Sequence, residues 1–106
     1  MAKGRIEIPL QMFKGARVYV NFDHEGQGGA YCRAYEDKSH SYYVKMGFDL
    51  NYIDPGRFIV FLVHECVHAV QFISKHYEIR DDEFDAYLVD MLVDEVLRRK
   101  PELRTR

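Results

Sequence analysis

The chain has 106 residues, 47% hydrophobic, 14% aromatic and 30% charged, with 15 Lys and Arg against 17 Asp and Glu and a formal net charge of -2. That length suits one domain, 1–106, able to bury roughly two-thirds of its unfolded surface, and the apolar fraction with balanced charge argues against disorder. The slight negative charge argues against generic phosphate binding, so no nucleic-acid partner is expected. The longest apolar run, Phe58 to Val63, is far short of the ~20 residues of a bilayer span, so no membrane partner is expected either. Charges at Arg5 and Glu7 leave no apolar stretch for a secretory signal. Cys32 and Cys66 read as ordinary thiols of a reducing compartment, which points to the cytoplasm.

From the N-terminus, Arg5 to Ile8 alternates briefly and stops at Pro9, which predicts a short or edge strand. Arg17 to Phe22 alternates cleanly, with Val18, Val20 and Phe22 on one face and Arg17, Tyr19 and Asn21 on the other. Glu25 to Gly29 contains three glycines and predicts a turn. Ala30 to Tyr35 alternates again, Ala30, Cys32 and Ala34 opposite Tyr31, Arg33 and Tyr35, and Ser41 to Phe48 follows with Tyr42, Val44, Met46 and Phe48 on one face. Alternating runs joined by short polar loops predict a meander over about residues 5–49, with one face packed and one face wet.

Asp54-Pro55 predicts a helix start, Asp as N-cap and Pro at the first helical position, with the helix running over about 55–74. At 100° per residue its apolar side chains fall nearly all around the axis, which predicts a helix buried on every side. A second helix is expected over about 82–100, starting at Asp81 or Asp82. Acids crowd its first turn and Arg98, Arg99 and Lys100 its last, before Pro101. The basic residues after Val96 read as dipole partners and a solvated, frayed tail, not as a nucleic-acid patch.

Within the first helix stands His64-Glu65-Cys66-Val67-His68. Imidazoles four apart on a helix project from one face and can grip one zinc ion, while the intervening Glu can reach a metal-bound water as general base. A chain of this composition would contain the pattern by chance about 0.02 times. Three ionisable groups inside a greasy helix are costly unless paired or metal-bound. Without a metal, the histidines would bond core carbonyls and Glu65 would pair with an arginine. A catalytic zinc needs a third protein ligand. The extended HExxHxxGxxH pattern is excluded, because Gln71 and Ser74 occupy its last two positions. The second helix instead offers Glu83, Tyr87, Asp90 and Asp94, within about 60° of one another around its axis.

His64-Glu65-Cys66-Val67-His68 followed by Glu83-Phe84-Asp85-Ala86-Tyr87 resembles the glutamate-zincin arrangement. More closely, HExVH with a short gap and EFxAY is similar to the small zincin-like metallopeptidases encoded by tailed phages. The resemblance covers about residues 54–97. It implies one zinc ion held by His64, His68 and Glu83, with Glu65 as base, and a host-cytoplasmic location if phage-encoded. Tyr87 stands where the broader clan has an aspartate supporting a ligand histidine. In a tight hairpin turning near Glu78, however, Asp90 and Asp94 would face the histidines, so both stay open as alternative ligands.

Other candidates read more plainly. His24 and His40 are expected in solvated loops, His76 as a partner of the helix C-terminus, and Cys66 in the core. Tyr31, Tyr35 and Tyr43 on the wet face of the sheet could form a binding surface. The expected fold is α+β, a three- or four-stranded, mainly antiparallel sheet packed on two helices that carry the site. The expected function is zinc-dependent hydrolysis of a peptide or protein substrate, which would add as an extra strand along Ser41–Asp49. The rival is a zincin-like module that binds a host or phage protein without cleaving it.

Overall fold

The computed structural model describes residues 4–23, 28–39 and 41–105; the expectations for His24 and His40, and most of the turn from Glu25, lie outside them. Among the described residues the fold is α+β: one mixed four-stranded sheet with two α-helices and a terminal 3-10 turn. The strands are β1 (Arg5–Pro9), β2 (Arg17–Asn21), β3 (Ala30–Glu36) and β4 (Tyr42–Phe48), followed by α1 (Phe58–His76), α2 (Asp82–Arg99) and the turn Pro101–Thr105.

The strand periods hold, but their order is not a meander. The order across the sheet is β1-β2-β4-β3, with β2 and β4 parallel and the other pairs antiparallel. Composition gives the reason. Val44, Met46, Gly47 and Phe48 of β4 are all buried, which suits a central strand. β3 carries small Ala30, Cys32 and Ala34 inward and exposes Arg33, Tyr35 and Glu36, which suits an edge. The segment after β2 therefore carries the chain past the central position, and β4 folds back into it. Ser41–Asp49 is consequently no free edge; the open edges belong to β1 and β3.

One face of the sheet, built on Val18, Val20, Val44 and Met46, packs against Phe58, Leu62, Cys66, Ala69 and Ile73 of α1 and Leu88, Leu92 and Val96 of α2. The first helix departs from expectation at both ends. Gly56 takes φ +85° and the Arg57 amide closes a turn on the Asp54 carbonyl, so Asp54 does not cap, and α1 begins after Arg57 with no side-chain cap. At the far end it continues to His76, where the Ile79 and Glu78 amides donate to the Ser74 and Lys75 carbonyls. That is a Schellman closure, with Glu78 in the left-handed position at φ 57°. α2 starts as expected: the Asp81 carboxylate accepts from the Glu83 and Phe84 amides at 3.0 and 3.2 Å.

Nor is α1 buried all round. Ile59, Val60, Val63 and Val67 are 38–51% exposed, a strip toward the N-terminal half of α1 that neither α2 nor the sheet covers. By length and composition alone α1 is long and apolar enough to cross a membrane, which a count of consecutive apolar residues understates. The tail is not frayed: Leu103 is fully buried, and Arg99 Nη1 donates to the Glu7 carbonyl at 2.7 Å.

Candidate functional site

The two motif histidines stand one turn apart on the exposed flank of α1, with His64 Nε2 and His68 Nε2 3.1 Å from each other and ring planes at 78°. They are not sunk in the core as expected; both are exposed. The 3.1 Å separation is that of a hydrogen bond between the two rings, and it is also close to the roughly 3.3 Å between two nitrogens each about 2.05 Å from a tetrahedral zinc. Gln71, one turn further on, supports this: its Oε1 lies 3.2 Å from His68 Nδ1. A proton on Nδ1 donated to that oxygen leaves the Nε2 lone pair facing His64. Sequence reasoning used Gln71 only to exclude a glycine; its i+3 spacing from His68 was the signal for this role.

Glu65 projects about 100° and 60° around the helix from His64 and His68, on the side toward β3, and is only 7% exposed. Burial pushes its carboxyl up from the ordinary value, while His64 and His68 pull it down. No arginine pairs with it among the described residues. Its neighbours include the Cys32 and Cys66 thiols, both pushed up to about 12, chiefly by burial and secondarily by the Glu65 charge. Cys66 is fully buried, as expected. Glu65 and His64 together line an open hollow of about 350 Å³ with Gly28, Ala30, Val60 and Phe61. The hollow thus runs from the start of the β3 edge to the motif. Gly29, at φ +76°, closes the approach: a Cβ there would lie 2.5 Å from the Tyr52 ring and 3.3 Å from that of Phe61.

The acidic candidates of α2 do not join the histidines. Among the described residues no group of three or more His, Cys, Asp or Glu side chains gathers closely enough to hold a metal. The helix register explains this. Ser74 Oγ donates to Asp85 Oδ1 across the hairpin, which sets Glu83 opposite His76, about 12 Å along the axis from His68. The same register sets Met91 opposite His68 and Glu95 opposite His64. Ser74 also projects about 80° and 120° around α1 from His64 and His68. α2 therefore lies on one flank of α1, and the histidines face another. Asp90 and Asp94 are exposed, and Tyr87 is 77% exposed. His76 stacks on Tyr42 at 3.8 Å and 9°, near the C-terminal end of α1 as expected, and Tyr42 donates to the Phe72 carbonyl.

No protein-family model, curated protein or solved structure matches this chain.

Proposed function

We propose that the chain is a zinc-dependent peptidase whose metal is gripped by His64 and His68 and whose general base is Glu65. The observation that carries this reading is the 3.1 Å convergence of the two Nε2 atoms beside a buried carboxylate that burial has made more basic. Zinc, when bound, supplies polarisation of a scissile carbonyl and a more acidic water. The chain's own part is to hold His68 in the correct tautomer through Gln71, to take a water proton at Glu65, and to return it to the leaving amine. A peptide adding as a strand along the outer edge of β3 would run beside the hollow that opens at Ala30.

The test is hydrolysis of a casein or peptide mixture by zinc-loaded protein. Glu65→Gln is expected to keep the metal and lose about 100-fold or more in rate, whereas His68→Ala loses both. Undiminished hydrolysis by Glu65→Gln would falsify the role given to that carboxylate. The resemblance assigns Glu83 as third ligand and the helix register does not. Zinc affinity of Glu83→Gln decides between them: a loss as large as that of His68→Ala supports the motif, no loss supports the register.

One observation favours the rival reading, a binding module. Ile59, Val60, Val63 and Val67 form an exposed apolar strip on the same helix, and contiguous exposed apolar surface marks interaction sites. In that case Glu65→Gln leaves every function intact.

A further inference from the structure

The face of the sheet turned away from the helices has an organisation that neither the metal site nor the core uses. Its side chains form three rows across the strands. The first runs Arg5, Asn21, Gly47, Tyr31; the second Glu7, Tyr19, Lys45, Arg33; the third Arg17, Tyr43, Tyr35. The cations on it are Arg5, Arg17, Arg33 and Lys45, against Glu7 and, at the rim, Asp37. A chain of net charge -2 therefore carries a net positive face, and the whole-chain argument against phosphate binding does not hold locally.

The aromatic rings are placed with the same regularity. Tyr35 and Tyr43 stack at 5.3 Å and 17°, Tyr19 meets Tyr43 edge-on at 5.7 Å, and the Tyr31 ring occupies the space over Gly47 where a Cβ would stand. Cations sit on the rings: Arg5 Cζ is 3.9 Å from the Tyr19 centroid and Lys45 Nζ 5.5 Å from that of Tyr35. Arg5, Arg17, Tyr43 and Lys45 also line a hollow of about 270 Å³ with Ser41 and Asp37, large enough for a nucleobase.

We infer that this open sheet face binds single-stranded nucleic acid, with bases stacked on the tyrosine and arginine planes and phosphates held by Arg5, Arg17, Arg33 and Lys45. Same-face residues along a strand are about 6.8 Å apart, a step that an extended single strand can follow base by base. A duplex hides its base faces and could not use the rings. An acidic peptide would satisfy the cations and leave the tyrosine array without purpose.

The experiment is fluorescence anisotropy of the full chain with labelled oligothymidine and oligouridine, a matched duplex, heparin and polyglutamate. Binding of a single strand is expected, with log K falling against log salt at a slope of about -2.8 if all four cations engage. Tyr35→Leu is expected to weaken it about tenfold and Tyr35→Phe to restore it, while Lys45→Gln flattens the salt slope by about 0.7. Circular dichroism of each variant confirms folding. Absence of single-strand binding by the folded protein at low salt overturns the inference. So does equal or tighter binding of duplex, heparin or polyglutamate combined with indifference to Tyr35→Leu, because the face would then be a plain polyanion surface.

Discussion

The two helices make opposite use of similar lengths, 19 residues in α1 and 18 in α2. α2 follows every local rule: an aspartate N-cap, acids in its first turn, and Glu95 bridging Arg98 and Arg99 at 2.7 and 2.8 Å. α1 has no side-chain cap, a strained C-terminal closure at Glu78, four exposed apolar residues and a histidine pair facing solvent. Conflicts between local rules tend to gather where a protein does its work. α2 satisfies its local rules throughout, whereas α1 gives up local stability along the flank that carries the histidine pair.

The sharpest way to break this contrast lies within α1 itself. Leu62→Ala, on the fully buried stripe, is expected to cost about 3 kcal/mol, whereas Val63→Ala, 39% exposed, should cost well under 1 kcal/mol. Urea denaturation of the two variants measures both, and equal costs would mean that the exposed flank is covered by something in solution. Next in size, Asp81→Ala removes the only side-chain cap in the helical hairpin among the described residues and is expected to cost about 1 kcal/mol. Glu78→Gly should instead stabilise by up to about 1 kcal/mol, since glycine adopts the left-handed position without Cβ strain; a lower melting temperature would show that the Glu78 side chain contributes something else.

The smallest effect concerns pH. Arg98 and Arg99 hold the Glu95 carboxyl below its ordinary value. A folded-state value below the unfolded one means that the group stabilises above the ordinary carboxylate range and loses this as pH falls through the lowered value. Glu95→Gln should therefore cost up to about 0.5 kcal/mol at neutral pH and nothing in strong acid. A cost that grows as pH falls would contradict the pairing.

These contrasts also mark what could be read beforehand. Strand periods were legible because alternation is local: Val18, Val20, Val44 and Met46 are all buried on one face. Strand order was not, because the parallel pairing of β2 with β4 depends on which strand best tolerates an edge, a comparison between segments. The histidine pair was legible because four residues of helix fix its geometry. Glu83, Asp90 and Asp94 were not placeable, since the Ser74–Asp85 register and the flank on which α2 packs both depend on tertiary contacts. The Asp54-Pro55 signal points to an earlier start of α1, which the left-handed Gly56 overrides. Its exposed flank was missed because periodicity counts apolar residues without knowing how much of a helix its neighbours can cover.

X-ray absorption at the zinc edge of a one-to-one zinc complex tests the histidine pair most directly. Two imidazole nitrogens at about 2.0–2.1 Å are predicted, with that signature lost in the double variant His64→Ala/His68→Ala. A spectrum without paired imidazoles, or one that the double substitution leaves unchanged, would contradict it.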